Sequence, residues 1–315
     1  MIVTLTPNPS VDRAVTVQAL QRGEVLRAAA ARVDAGGKGV NVSRALAAAG
    51  EDTLVVLPSG GPEGSLLEAL LERASIRRAV VPIPHGVRMN ISVLEPDGTT
   101  TKLNEPGPRL SEADVEALLE AALAPLGAGD WVAGCGSLPP GAPGDLYATL
   151  VRRAKGRGAR VAIDTSGAPL AEAIPAAPSL IKPNREELAE FAGRPLETLG
   201  AVIGVARELV AGGIELVAVS LGRDGAVLVT AEEAVHARAF VTDPVSTVGA
   251  GDCMLAGLLS GLARGEALAD ALAEGVRWGA AAVRLPGTEV PRPGDLSDID
   301  VALTADPDTS LPLHD

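Results

Sequence analysis

The chain has 315 residues, 47% of them hydrophobic, and a formal charge of −13 from 27 basic and 40 acidic side chains. The apolar fraction supports a sizeable core of Ala, Leu and Val, while the acidic balance argues against DNA, RNA and anionic membranes as partners. Aromatics at 2% leave no stacking platform for single-stranded nucleic acid, and no apolar run reaches the length of a membrane span.

The opening MIVTLTPNPSVD lacks the basic and apolar regions of a signal peptide, and the two cysteines, Cys135 and Cys253, suit a reducing compartment. A cytoplasmic protein is therefore expected. Cys253 reads as a small buried residue rather than a reactive thiol. His85, His236 and His314 are too scattered in sequence to suggest a histidine metal site.

In chain order, Ile2–Thr6 reads as the first strand and is followed by TPNPSVD, where Asp12 can accept hydrogen bonds from vicinal hydroxyls or serve as a turn aspartate. Ala14–Arg27 is expected to contribute to a small β lid. Ala35–Asn41, AGGKGVN, opens the helix Gly39–Ala49; Gly37 allows close backbone approach, Lys38 offers a charge, and Asn41 a donor–acceptor pair. Thr53–Leu57 is the next strand and Glu63–Ala74 the next helix. Ile91–Asn104 reads as a hairpin around Pro96-Asp97-Gly98. Arg88 and Asn90 share one strand parity, and Lys102 lies on the other arm. Cations aimed inward from a lid suit a phosphate already on a substrate; charges that merely protect a sheet edge are the alternative.

The helix Ser111–Leu123 precedes GAGD at Gly127–Asp130, which leads into the strand Trp131–Ala133, so Asp130 reads as a turn residue. Helix Pro143–Lys155 and strand Val161–Asp164 follow. In KPNREEL, Asn184 and Glu187 stand one helical turn apart, facing a ligand or closing a capping box. Helix Thr198–Ala211 and strand Leu216–Ser220 lead to SLGRDG, either a nucleotide contact or an ordinary hairpin turn. The second GAGD, in STVGAGD (Ser246–Asp252), runs into CMLAGLLSGLA. A helix start there offers the amides of Gly249, Ala250 and Gly251 to an anion, with the Asp252 carboxylate beside them. An anion cradle next to a base suits transfer of a phosphoryl group to a hydroxyl. After Leu285 the chain turns rich in Pro, Asp and Ser, and its final dozen residues read as frayed.

The strand–helix alternation predicts an α/β fold with a mostly parallel sheet covered on both faces. Neither GxxxxGK[ST] nor GxGxxG occurs, which removes P-loop NTPases and weakens a dinucleotide enzyme.

Taken in order, TPNPSVD, AGGKGVN, GSLPPG (Gly136–Gly141), KPNREEL, SLGRDG and STVGAGD resemble the ribokinase-like (PfkB) carbohydrate kinases, from residue 1 to about 290. TPNPSVD, Arg88, Thr99–Pro108 and GSLPPG look most like the branch that acts on sugar phosphates. The resemblance implies a single domain over 1–315, a three-layer α/β/α body with lid elements at about 12–27 and 88–105. It implies ATP and Mg²⁺, and fructose 1-phosphate as acceptor; tagatose 6-phosphate and fructose 6-phosphate are the alternatives, and a non-catalytic sugar-phosphate sensor the non-enzymatic one. Asp252 falls on the family's catalytic base and Gly249–Gly251 on its anion hole. Asp12, Gly37, Lys38, Asn41, Arg88 and Ser137 fall where the family holds the sugar phosphate, with Asn90 and Lys102 beside them on the lid. Lys182, Asn184, Ser220, Gly222 and Gly225 match nucleotide positions, and Glu187 the acid that organises the metal through water. A homodimer through the lid is expected by analogy.

Overall fold

Period-two burial organises the body: Ile2 packs into one apolar layer and its neighbour Val3 into another, as do Trp131 and Val132, or Ala162 and Ile163. The computed structural model describes residues 1–314. Its strands are β1 (Ile2–Leu5), β2 (Ser10–Thr16), β3 (Ala30–Gly36), β4 (Thr53–Ser59), β5 (Arg78–Pro82), β6 (Arg88–Leu94), β7 (Thr100–Asn104), β8 (Trp131–Cys135), β9 (Arg160–Asp164), β10 (Leu180–Ile181), β11 (Leu216–Ser220), β12 (Ala226–Val229), β13 (Ala234–Ala239) and β14 (Val301–Ala305). Its helices are α1 (Lys38–Ala48), α2 (Gly61–Arg73), α3 (Glu112–Leu123), α4 (Leu146–Lys155), α5 (Gly167–Ala173), α6 (Arg185–Ala192), α7 (Leu199–Ala211), α8 (Ala250–Arg264) and α9 (Leu268–Val283).

The main sheet is ten-stranded in the order β14-β13-β12-β11-β10-β9-β8-β1-β4-β5. It is parallel from β5 to β11 and antiparallel from β11 to β14. Helices α1, α8 and α9 cover one face, while α3, α4 and α7 supply most of the other. The expected three-layer α/β/α body is the one observed. Strand order reverses at β1, with β4 on one side and β8 on the other, and a crevice at such a switch point is where open α/β sheets bind ligands.

A second, four-stranded sheet, β3-β2-β6-β7, stands off this rim. Val11, Ala35 and Val87 at its root share a small core with Leu67 and Leu71 of α2. The hairpin of β6 and β7 has its turn where the sequence places it. The N-terminal contribution differs from Ala14–Arg27. Strand β2 ends at Thr16, residues 17–29 carry no strand, and β3 is the partner, running straight into the glycine motif.

The tail also differs from expectation. Strand β14 pairs with β13, and residues beyond it bond to the body through Gly200 N–H to Thr309 O (2.9 Å), Leu199 N–H to Leu311 O (2.9 Å) and Leu313 N–H to Glu197 O (2.9 Å). Leu311 and Leu313 pack on the core, an anchorage by alternate apolar residues that the polar composition hides. Among the described residues no helix is long and apolar enough to cross a membrane.

Candidate active site

Every strand around the switch point delivers a polar residue at its carboxyl end: Asn8 after β1, Ser137 after β8, Asp164 closing β9, Lys182 after β10 and Ser220 closing β11. The helix α8 starts over this rim. Its N-cap is Gly249 in the left-handed region (φ 80°), a conformation that glycine adopts without penalty. The amides of Gly249, Gly251 and Asp252 donate to nothing among the described residues, while that of Ala250 makes a long 3.4 Å bond to Thr247 O. The cradle is therefore largely open, as an anion site at a helix start requires.

Asp252 lies in the first turn of α8, 7% exposed, and its Oδ2 accepts a 2.8 Å hydrogen bond from Asn41 Nδ2 of α1. Burial, then the nearby Asp164 carboxylate, push its pKa up to about 6; Lys38, Asn41 and Lys182 pull the other way. Cys253 is buried beside it, with its thiol pushed up to about 12 by burial and by Asp252, so it is inert.

Asp164, a fully buried carboxylate, organises the charges beneath the helix start. Its Oδ1 accepts from Lys38 Nζ at 2.8 Å, and its Oδ2 lies 3.3 Å from Lys182 Nζ. Burial alone would raise its pKa, but the two ammonium groups outweigh it and hold the group below the usual carboxylate range. The pKa of Lys38 is raised in turn: burial opposes its charge, and Asp164 and Glu187 overcome that. Lys182 is 3% exposed, and a Cβ added at Gly251 would lie 3.5 Å from its Nζ, so this cation sits under the cradle. The sequence reading missed Asp164. Its one signal was an acid at the carboxyl end of the apolar run Val161–Ile163, a position that a parallel sheet always turns toward its site.

Asn184 and Glu187 form the capping box: Glu187 N–H donates to Asn184 Oδ1 (2.7 Å) and Asn184 N–H to Glu187 Oε2 (2.9 Å). The other carboxylate oxygen of Glu187 lies 3.6 Å from Lys38 Nζ, so the box also aims an acid at the charge cluster. Asn184 pairs across an isolated bridge with Ser220. Gly222 and Gly225 lie in a tight turn between the antiparallel β11 and β12. A Cβ at Gly225 would meet Ala237 O at 2.0 Å, so that glycine answers first to packing against β13.

The lid presents one polar face. Register places Ser10 and Asp12 of β2 opposite Arg88 and Asn90 of β6, and opposite Gly36 and Asp34 of β3. Asp12 Oδ1 accepts from Ser10 Oγ (2.6 Å) and Asn90 Nδ2 (3.0 Å). Its carboxyl lies over Gly36, where an added Cβ would sit 2.3 Å away, which explains one glycine of AGGKGVN. Gly37 caps α1 immediately after it. Arg88 donates to Asn8 O (3.0 Å) and Glu105 O (3.2 Å), while its Nε is buried without a partner, and desolvation depresses its pKa despite Asp12 and Glu105. Asn8 in turn donates to Ser137 Oγ (3.2 Å) and Pro106 O (3.1 Å). Arg88, Asn8 and Ser137 line an open cleft of about 590 Å³ between lid and body. Lys102 is not brought into this cluster; it is exposed on the edge strand opposite Ser92.

Comparison with known proteins gives the family. The family model for pfkB family carbohydrate kinases matches residues 6–294. The 1-phosphofructokinase of Rhodobacter capsulatus is 43% identical over 82% of this chain and 82% of its own length. The 1-phosphofructokinase of Haloferax volcanii is 39% identical over 95% of each chain. The crystal structure of phosphofructokinase-2 from Escherichia coli in complex with potassium superposes with a TM-score of 0.89 at 31% identity, over 94% of this chain and 96% of that one. Since the matched span takes in the lid, the charge cluster and the start of α8 alike, the chain belongs to the PfkB family of carbohydrate kinases.

Proposed function

We propose that this kinase transfers the γ-phosphoryl group of ATP to the 6-hydroxyl of fructose 1-phosphate. The observation that carries the reaction is the buried Asp252 beside the open amides of Gly249 and Gly251. The hydroxyl oxygen attacks the γ-phosphorus as its proton passes to Asp252 Oδ, and the bond from that phosphorus to the β,γ-bridging oxygen breaks to release ADP. Charge spreading over the transferring group meets the helix start and the Lys182 ammonium beneath it. Asn41 holds the carboxylate in place through its 2.8 Å hydrogen bond.

The acceptor's own phosphate fits the cleft at Arg88, Asn8 and Ser137, where a buried guanidinium nitrogen lacks a partner. Asp12, Asn90 and Gly37 border the sugar hydroxyls. Ser220, Gly222 and Asn184 border the nucleotide. No group of three or more His, Cys, Asp or Glu stands ready to cage a metal among the described residues. Glu187, an acid beside the Lys38 ammonium and open to solvent on one side, suits instead a Mg²⁺ carried on phosphates and reached through water. When bound, Mg²⁺ neutralises charge on the β- and γ-phosphates.

The alternate, outward positions of the lid, with Leu103 58% exposed opposite Ile91 and with Val93 on the next row, support a homodimer closed lid to lid. Location in the cytoplasm accords with both thiols being free and buried.

A second acceptor, fructose 6-phosphate, is suggested by the likeness to the Escherichia coli phosphofructokinase-2 solved in complex with fructose-6-phosphate. A coupled assay of ADP release across fructose 1-phosphate, fructose 6-phosphate, tagatose 6-phosphate and free sugars decides between them. The highest kcat/KM with fructose 1-phosphate is expected; a higher value with either 6-phosphate replaces the acceptor, and turnover only with free sugars removes the phosphate cleft from its role.

A further inference from the structure

The chain's last residues return to the turn Ser220–Gly225. Thr309, Leu311 and Leu313 bond to the start of α7, Pro312 bridges Thr198, and the run ends with His314 on Asp224. His314 N–H donates to Asp224 Oδ2 at 2.8 Å, and its imidazole Nδ1 lies 3.3 Å from the same oxygen. Asp224 is 2% exposed, and the Arg238 guanidinium lies 3.5 Å from its carboxylate. The turn is gripped from β13 as well: His236 Nε2 lies 2.6 Å from Asp224 O, and Arg238 Nε donates to Arg223 O at 3.3 Å. From the turn, contacts run without a gap to the charge cluster, through the Ser220–Asn184 bridge, the Asn184–Glu187 box and the 3.6 Å approach of Glu187 to Lys38.

We propose that the C-terminal strap, residues 306–314, sets the shape of the nucleotide-binding turn, with His314 as a positioning residue for ATP. This rests on the reading of the protein as an ATP-dependent kinase in which Ser220 and Gly222 border the nucleotide. The physical reason is the cost of an under-satisfied buried carboxylate: the strap gives Asp224 a backbone N–H at 2.8 Å and an imidazole nitrogen at 3.3 Å, so losing the strap removes both, and losing the imidazole alone opens one side of the carboxylate to water beside the turn. The acceptor's cleft lies at the carboxyl ends of β1 and β8, and no described residue of the strap is among those that line it.

The test is calorimetric titration of Mg·ATP into the full chain, a chain ending at Ala305, His314→Ala and His314→Asn, with steady-state KM measured for both substrates. ATP binding should weaken about three- to tenfold in His314→Ala and further in the shortened chain. The KM for the sugar phosphate should stay within about twofold, and His314→Asn, which restores a donor near Nδ1, should bind ATP within about twofold of the full chain. Because His314 is half exposed, His314→Ala decides the matter even if the shortened chain does not fold. Unchanged ATP affinity in a folded His314→Ala protein overturns the proposal. So does an equal loss for both substrates, or an equal loss in the Ala and Asn variants. A full chain that binds no ATP refutes the kinase reading beneath it, a result separate from a full chain and variants that all bind equally.

Discussion

Asp252 is held where burial and Asp164 both disfavour its charge, with a pKa near 6, so it is ionised and still basic at neutral pH. The kcat/KM profile should therefore show an acid limb with a midpoint at about 6, below which the rate falls tenfold per pH unit. The same shift bears on stability with the opposite sense to an ordinary salt-bridged acid. The folded pKa lies above the unfolded one, so folding takes up a proton between the two, and the penalty is fully present above about 6 and relieved as pH falls toward 3.8. Asp252→Asn should then be more stable than the parent at pH 8, by roughly 1–3 kcal/mol, with the gap closing by pH 4; urea unfolding at both pH values checks this. Asp164 has the reverse role. Asp164→Asn leaves the Lys182 ammonium buried without its partner, a loss of about 3–5 kcal/mol measurable by the same unfolding.

Among the elements, the lid is where the proposed reading predicts different responses to the two substrates. Arg88→Ala should raise the KM for sugar phosphate about tenfold or more while the KM for ATP moves less than about twofold. Equal shifts in steady-state assays would remove β6 from the phosphate cleft. The long amphipathic helices α1, α2, α3 and α7 and the strand β11 were legible to within a residue or two, because their burial follows a strict period. Strand β3 was not: Ala30–Gly36 is small and charged, since Arg32 and Asp34 serve the polar lid face and Glu289 rather than a core. The tail was misread for a related reason; two leucines two residues apart, Leu311 and Leu313, dock it on the body, too few for any periodic signal. At the site, the helix start at Gly249 and the motifs at Lys38 and Asn41 were readable as glycine-marked turns. Asp164 and Asn8 were not, because what makes them important is a meeting of strands far apart in sequence.

At the scale of the whole molecule, a chain with a net charge of −13 gathers Lys38, Lys182 and Arg88 on one rim, the local positive field that the proposed pair of anionic substrates would need. The sheet topology does the gathering, since parallel strands all end on the same side. If the outward face of the lid joins two copies, Leu103→Glu should convert a dimer to a monomer by light scattering, and a parent chain that is already monomeric would rule that assembly out. The proposed phosphoryl transfer turns most of all on one carboxylate at the start of α8. Its sharpest test is turnover of Asp252→Asn at saturating ATP and sugar phosphate, with ATP affinity measured alongside. A folded protein that binds ATP as the parent does and is slower by about a hundredfold or more is the expected result; turnover close to the parent's would contradict it.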